Sequence, residues 1–273
     1  MEREVSHKLK KKRGVWIMTY INCQLDGDIF EIVFNRPEAY NSFHVDMFAE
    51  LKEACDTASE SNAKIVVMKG MGKGFSAGGD IGMMLKQDRE EDFHRVMDLI
   101  EGITLSLARM KKVTIALVHG AAAGLAFSFA LSCDYLFVHQ KAKLAMNFNG
   151  IGLIPDGGGH FFLTKRVSEQ TAKQLIWSGQ KLSADEALKL GLADGVFQEE
   201  VDTYQKACVK PFVNMPIQAF IETKMIYFQQ SESQLIAVLQ KERAAQARLR
   251  QSHDHREGIQ AFLEKRRPVF HRV

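Results

Sequence analysis

Few cysteines and no long apolar run set the first limits on this chain of 273 residues. The 4 cysteines show neither Cys-x-x-Cys spacing nor paired histidines, so we expect no metal site and no disulfide framework. A membrane-spanning helix needs roughly 20 consecutive apolar residues. The most apolar stretch, residues 113–138, is broken by serine, glycine, histidine and aspartate, and we therefore expect no membrane span.

The chain also lacks a strong excess of either charge. It has 36 lysine and arginine residues against 33 aspartate and glutamate residues, a formal net charge of +3. Residues 1–13 hold six of the basic side chains and two of the acidic ones, which leaves the rest of the chain near −1. Nucleic-acid binding is not expected, because no basic body could follow a phosphate backbone. Residues 1–17 are predicted to form a solvated basic extension, since they lack the apolar core of a secretory signal, and a cytoplasmic location is expected.

Strand and helix patterns alternate from the first apolar run onward. The predicted strands lie at residues 29–34, 65–69, 113–118, 135–139 and 144–146. The predicted helices between them lie at residues 45–59, 90–110 and 124–133. This alternation favours an α/β fold with a mostly parallel sheet and helices packed outside it, over residues 18–200.

The pattern changes after residue 200, where no strand is predicted. Helical patterns remain at residues 219–229, 231–250 and 255–266. Residues 201–273 are therefore predicted to form a helical C-terminal region.

Two glycine-containing loops each follow one of the predicted buried strands. They read Phe-Ser-Ala-Gly-Gly-Asp at residues 75–80 and His-Gly-Ala-Ala-Ala-Gly-Leu-Ala at residues 119–126. Small residues let two backbones approach closely, and two N–H groups aimed at one point can hold one oxygen. Such a pair suits acyl-thioester chemistry, in which negative charge builds up on the carbonyl oxygen in the transition state.

Five motifs in this order resemble those of the crotonase family, the enoyl-CoA hydratases and isomerases. The motifs lie at residues 75–80, 120–134, 151–159, 182–194 and 257–266. The resemblance runs from about Leu25 to Phe270, which is most of the chain. It implies an α/β crotonase-type ββα spiral core, in which strand-strand-helix turns stack two roughly perpendicular sheets, followed by a C-terminal helical oligomerisation region.

In this family the helical tail packs against neighbouring subunits, so the resemblance implies a homotrimer or hexamer. The apolar side chains that could form the contact are those of Phe212, Phe220, Ile226, Phe228, Leu235 and Leu239. The alternative is that these side chains only cover the core of their own chain.

Carried over position by position, the resemblance places the oxyanion hole at the backbone N–H groups of Gly79 and Leu125. Coenzyme A is expected as part of the substrate, an acyl-CoA thioester, and not as a separate cofactor. Its predicted contacts are the backbone of Ala77 and the side chains of Arg36, Phe262 and Lys265.

The two glutamates that add water to the double bond in this family are missing here. Their positions fall on Ser128 and Phe148. A serine without a partner is no general base at neutral pH, and phenylalanine exchanges no proton, so hydration by the usual pair is not expected. Ser128, Phe148 and Asn149 are predicted to line the substrate pocket, where the two polar side chains could orient a water or the carbonyl.

One carboxylate remains in the turn at residues 151–159. Several double-bond isomerases of the family have an aspartate at the position of Asp156 and use it to carry a proton between carbons. The alternative is that Asp156 caps the helix that follows, which would lower its pKa, whereas burial beside apolar side chains would raise it. Asp80 is expected to hold its loop rather than to react.

These residues predict a double-bond isomerase acting on an enoyl-CoA, with Asp156 as the proton carrier. Two alternatives stay open at this point. One is another crotonase reaction without the glutamate pair: hydration, decarboxylation or thioester hydrolysis. The other is a family member that binds acyl-CoA without chemistry.

Overall fold

The computed structural model describes residues 10–12, 14–84 and 90–271. Its strands are β1 (Lys10–Lys12), β2 (Val15–Ile17), β3 (Ile21–Asp26), β4 (Ile29–Phe34), β5 (Ile65–Gly70), β6 (Val113–Val118), β7 (Ala121–Ala123), β8 (Tyr135–His139), β9 (Lys143–Ala145), β10 (Leu182–Ser183) and β11 (Gly195–Phe197). Its helices are α1 (Val45–Glu60), α2 (Ile81–Met84), α3 (Glu90–Arg109), α4 (Leu125–Leu131), α5 (Gly159–Arg166), α6 (Glu169–Ser178), α7 (Ala184–Lys189), α8 (Val201–Val213), α9 (Ile217–Leu249) and α10 (His253–Leu263), with 3-10 turns at Pro37–Ala39 and Asn147–Ile151.

Two sheets organise the chain. The larger has the strand order β1-β2-β3-β4-β5-β6-β8-β11, antiparallel from β1 to β4 and parallel from β4 onward. The smaller has the order β10-β9-β7. Every residue of β5 and β6 is buried, as expected for parallel strands covered on both faces. The α/β fold predicted from the sequence is confirmed.

Helices cover the two faces of the large sheet. On one face, α1 and α3 pack over a core that continues into α4. On the other face, α8 packs against the alternate side chains of β5 and β6, with Val209 and Phe212 in the contact. The carboxyl ends of β5 and β6 lead directly into the two glycine loops, so the sheet brings both loops to one edge.

The start of the chain is more ordered than its basic composition indicated. β1 pairs with β2, and β2 pairs with β3, so these segments extend the large sheet. Trp16 is 8% exposed, and its ring centroid lies 5.3 Å from that of Phe30. The expectation of an extension separate from the core is therefore wrong for Lys10–Lys12 and Val15–Ile17, because both segments pair into the large sheet. Residues 1–9 and 13 lie outside the described part.

The C-terminal region is helical, as its pattern predicted, but one helix, α9 (Ile217–Leu249), replaces the two predicted at residues 219–229 and 231–250. Ser231 does not break α9, because its hydroxyl donates a hydrogen bond to the Tyr227 carbonyl one turn earlier and the side chain stays within the helix. None of the described helices is long and apolar enough to cross a bilayer.

Most of the tail residues considered for a subunit contact pack within this chain. Leu235 and Leu239 are buried in the main core, with Phe228 packed against it, and Phe212 and Phe220 pack beneath the sheet. Ile226 is the exception among the six, at 56% exposed. Covering their own core therefore accounts for five of these side chains, and a trimer or hexamer stays a prediction.

Candidate active site

The two glycine loops run side by side as a short parallel ladder. The Phe75 and Ser76 amides donate to the carbonyls of His119 and Ala121 at 2.8 and 2.9 Å, and the Ala123 amide donates to the Ser76 carbonyl at 3.2 Å. The chain then continues to Gly79 on one side and to Leu125 on the other. The ladder therefore brings the ends of both loops to the same place.

Gly78 makes this approach possible. Its φ is +90°, and a Cβ atom built there would lie 2.4 Å from the Ala123 carbonyl oxygen and 3.7 Å from the Leu125 nitrogen. Any other residue would push the loops apart.

The N–H groups of Gly79 and Leu125 are available at this meeting point. Neither donates a hydrogen bond to another described residue, although the neighbouring amides of Ala77, Asp80 and Gly124 all do. Leu125 is the first residue of α4, where a helix leaves its N–H groups without an internal acceptor.

Both residues line one narrow cavity of about 80 Å³. Most of its wall is apolar, with Phe48, Met83, Met84, Phe93, Val96, Met97, Ile100, Phe148 and Leu153 contributing side chains. The polar side chains in the wall are those of Asp156, Gln246, Arg250 and His255. Met83, Met84 and Met97 give the wall flexible side chains that can adapt to the shape of an acyl chain.

Asp156 presents a buried carboxyl group to this cavity. The residue is 9% exposed, and its Oδ1 has no hydrogen-bond partner among the described residues. The Gln246 Nε2 lies at 3.4 Å from its Oδ2, a long contact. Burial, and then the negative charge of Glu242, raise the pKa of Asp156 to about 8, against a small opposing effect of its own backbone amide.

Asp156 does not cap the helix that follows it. Gly158 occupies the N-cap position of α5, and the Glu242 carboxylate from α9 accepts hydrogen bonds from the Gly158 amide at 2.8 Å and the His160 amide at 3.1 Å. The alternative that Asp156 caps this helix is therefore wrong, because the carboxylate of Glu242 binds the amides at the helix start. No sequence signal near residues 156–160 indicated Glu242, which lies 84 residues after Gly158.

The environment of Asp80 is the opposite. Its Oδ2 lies 2.6 Å from Nη1 of Arg36, and its Oδ1 accepts from the Met83 amide at 3.3 Å. Burial acts to raise the pKa of Asp80, but the hydrogen bond and charge of Arg36 outweigh it, so the pKa is lowered. The same Nη1 also donates to the Ser42 carbonyl at 2.8 Å, so Arg36 ties the first glycine loop to the end of β4.

The predicted pocket residues separate into two groups. Phe148 lines the cavity, but Ser128 and Asn149 are not part of its wall. Ser128 is fully buried beneath the turn. A Cβ atom built at Gly159 would lie 2.7 Å from its Oγ, so Ser128 and Gly159 pack closely and a side chain larger than serine at position 128 would displace the turn. Asn149 points away and donates from Nδ2 to the Trp177 carbonyl at 2.6 Å.

The residues predicted to contact the coenzyme lie on the surface, apart from Arg36. Ala77 is exposed next to the Gly79 amide, with its own amide bound to the Tyr40 carbonyl at 2.9 Å. Phe262 is 59% exposed near the end of α10, and Lys265 follows in a left-handed conformation with φ of +55°. Their contacts with coenzyme A, and that of Arg36, stay predictions.

This site has the features that acyl-thioester chemistry needs. Two glycine loops present a pair of amides without hydrogen-bond acceptors in the described part of the chain, and a buried carboxyl group lies in the same cavity. Comparison with known proteins supports this class of site. A sequence model described as enoyl-CoA hydratase/isomerase matches residues 24–272. The chain therefore belongs to the enoyl-CoA hydratase/isomerase family, the crotonases.

Similar proteins carry both activities in their names. The Bacillus subtilis protein YhaR, classed as an enoyl-CoA hydratase/isomerase, is 50% identical over 253 residues, which cover 93% of this chain and 99% of that protein. The trans-2-decenoyl-[acyl-carrier-protein] isomerase of Streptococcus mutans is 29% identical, with 90% of this chain and 95% of that protein covered. A crystal structure of an enoyl-CoA hydratase from Mycobacterium avium subsp. paratuberculosis superposes with a TM-score of 0.85 at 28% identity, over 93% of this chain and 99% of that one.

Proposed function

We propose that this protein is an enoyl-CoA isomerase, which moves a carbon–carbon double bond along the acyl chain with Asp156 as the proton carrier. The observation that carries the proposal is the carboxyl group of Asp156, buried with Oδ1 unpaired in the cavity that Gly79 and Leu125 also line. The relative named as a decenoyl isomerase is consistent with it.

The proposed reaction needs one carboxylate and one oxyanion site. The thioester carbonyl oxygen binds the N–H groups of Gly79 and Leu125. Ionised Asp156 takes a proton from C2 or C4, the C–H electron pair moves into the conjugated dienolate, and the oxygen carries the negative charge. Asp156 then returns the proton to the other of the two carbons, which restores the carboxylate and completes the shift of the double bond.

A pKa of about 8 suits this double task. A proton carrier must accept a proton in one half-reaction and release it in the other, which is most efficient when its pKa lies near the working pH. A carboxylate with an ordinary pKa would be the weaker base for removing a proton beside a thioester.

Hydration is the less favoured reaction, although the solved relative is named a hydratase. Of the described residues that line the cavity, Asp156 is the one carboxylate. The position of the first family glutamate is Ser128, buried out of the cavity under the turn, and that of the second is the apolar ring of Phe148.

The test is turnover of 3-enoyl-CoA and 2-enoyl-CoA thioesters of several chain lengths by the protein and by Asp156→Asn. Asparagine keeps the shape but accepts no proton, so we expect isomerisation to fall by about 10³-fold or more. In the unchanged protein, kcat/KM should rise with pH up to about 8, where Asp156 ionises, and then level off.

Each alternative predicts a different result. Water addition that survives Asp156→Asn would support a hydratase, and release of free coenzyme A would support a thioester hydrolase. Tight binding of every thioester without turnover would support a non-catalytic member. A cytoplasmic location and the trimer or hexamer stay predictions that these assays do not address.

A further inference from the structure

Glu242 is a buried carboxylate in the middle of the tail helix α9, and it is 2% exposed. It accepts hydrogen bonds from the amides of Gly158 and His160 and contacts the His160 ring, with 2.7 Å between Oε1 and Nδ1. A carboxylate costs free energy when it leaves water, so one held here needs these partners. All of them belong to the segment that follows Asp156.

Gln246 holds the other side of the same turn. It lies one helical turn after Glu242, and its Nε2 donates to the Ile154 carbonyl at 2.6 Å and reaches the Asp156 Oδ2 at 3.4 Å. Two side chains of α9 therefore fix the backbone on both sides of Asp156, from Ile154 to His160.

This arrangement determines whether the Asp156 carboxyl group has hydrogen-bond partners. An aspartate two residues before the N-cap of a helix could satisfy the free amides at the helix start and would then be a paired, weakly basic anion. Here Glu242 occupies those amides, and the Asp156 Oδ1 keeps no partner among the described residues.

We infer that Glu242 is a positioning residue for the reaction: it takes the amides at the start of α5, so that the Asp156 carboxyl stays uncommitted in the cavity with a second carboxylate behind it. The inference rests on the proposed role of Asp156 as proton carrier. Glu242 is not part of the cavity wall, so it acts through Asp156 and not on the substrate.

The charged and titratable groups around Asp156 come from three helices and the end of one of them. α9 contributes Glu242, and Arg250 directly follows this helix, with its guanidinium 4.6 Å from the centroid of the Phe93 ring. α10 contributes His255, whose pKa is lowered by burial and whose Nδ1 contacts the Ile151 carbonyl at 2.7 Å, and α5 contributes His160. The described side chains of α3 in the cavity wall are all apolar, since its Asp98 and Glu101 pair with Arg243 away from it.

The decisive variant is Glu242→Gln, assayed with the enoyl-CoA substrate across pH 5 to 10. Glutamine keeps the shape of the side chain and one oxygen for one of the two amides, but it replaces the other oxygen with an NH2 group and removes the negative charge. We expect the rise of kcat/KM with pH to move to lower pH by about one unit. At high pH kcat should fall several-fold, because Asp156 becomes a weaker base, while KM changes little.

Glu232→Gln is the matched control. Glu232 lies on the same helix and pairs with Arg109 at the surface, with 2.7 Å between Nε and Oε1. Its loss removes the same charge away from the cavity, so the pH profile should not move. A purely structural role of Glu242 would lower activity equally at every pH, and that result would overturn the inference.

Direct titration separates this inference from the proposed function. Carbon-13 labelling of aspartate carboxyls, with Asp156→Asn to assign the resonance, gives the pKa of Asp156 without an assay. An active Asp156→Asn would overturn the proposed function and leave this titration as the test of Glu242. An inactive Asp156→Asn together with an unmoved resonance in Glu242→Gln would overturn the inference alone.

Glu242→Asp tests the inference where Glu242→Gln fails to fold. Aspartate keeps the negative charge but is one methylene too short to accept from both the Gly158 and the His160 amides. An amide released in this way becomes available to the Asp156 carboxylate, so the Asp156 resonance should titrate at lower pH than in the unchanged protein. No movement, or movement to higher pH, would contradict the inference.

Discussion

Two aspartates, one beside the cavity and one in its wall, have opposite environments. Asp80 directly follows the cavity-lining Gly79, and its side chain is tied to Arg36 at 2.6 Å, with a lowered pKa. Asp156 lies in the cavity wall with Oδ1 unpaired and a pKa raised to about 8. The residue type is the same, and the difference in burial and in partners makes one carboxylate a fixed anion and the other a group that can exchange a proton.

The difference divides the site into a rigid side and a reactive side. On the side of Asp80, ion pairs and backbone hydrogen bonds fix the loops that carry the amides of Gly79 and Leu125. On the side of Asp156, the backbone is fixed from α9 but the carboxyl group is left without a strong partner. An oxyanion site works when its donors are held before the reaction begins, whereas a proton carrier must not be stabilised as an anion.

Among changes on the rigid side, removal of one amide should have the largest effect. Leu125→Pro deletes the N–H without introducing a polar group, and proline is tolerated at the first residue of a helix, where no helical hydrogen bond is lost. Loss of one oxyanion donor costs roughly 10²- to 10³-fold in kcat. The measurement is kcat at saturating enoyl-CoA.

The matched control is Leu125→Ala, which keeps the N–H and removes most of the buried side chain. It should lose stability by about 2 kcal/mol or more but retain most of its kcat. Equal kcat losses in the two variants would mean that the side chain, and not the amide, matters at this position.

The parts of the fold that could be predicted from the sequence are those set by interactions between residues close together in the chain. β4, β6 and β8 have the predicted bounds, because a continuous apolar run between turn residues is a local signal. The strands β1 and β2 were missed because they are short and lie among basic residues. The continuity of α9 was missed because Ser231 reads as a break unless its bond back to the helix is known.

The site shows the same limit. The two loops and Asp156 could be predicted, because each belongs to a motif of a few residues. Glu242, the residue that binds the amides in place of Asp156, could not be predicted, because it lies 84 residues after Gly158 in the chain and meets the turn only through the tertiary packing of α9. Ser128 and Asn149 were assigned to the pocket by position alone, and packing under the turn and the bond to Trp177 place them elsewhere.

Asp156→Asn should stabilise the folded protein at high pH. The folded-state pKa of Asp156, about 8, lies above its ordinary value of 3.8, so the folded protein holds this proton more tightly than the unfolded chain does. Stability of the unchanged protein therefore falls as pH rises from about 4 to about 8. Denaturant unfolding at pH 9 should show an advantage of roughly 2–4 kcal/mol for the variant, and none at pH 4. An equal advantage at both pH values would exclude the ionisation as its cause.

Asp80→Asn should act in the opposite direction, with the smallest effect of the three. The variant leaves the Arg36 guanidinium without its ionic partner in a site where both side chains are about one fifth exposed, so we expect a loss of roughly 1–3 kcal/mol at pH 7. Because the pKa of Asp80 is lowered in the folded state, the loss should stay constant from pH 8 to pH 5 and shrink only as pH falls below about 4. Asp28→Asn, which breaks the more exposed pair with Lys64, is the control and should cost less than about 1 kcal/mol. If Asp80→Asn instead stabilised the protein at high pH, as Asp156→Asn is expected to, the two aspartates would not differ in the way that their partners indicate.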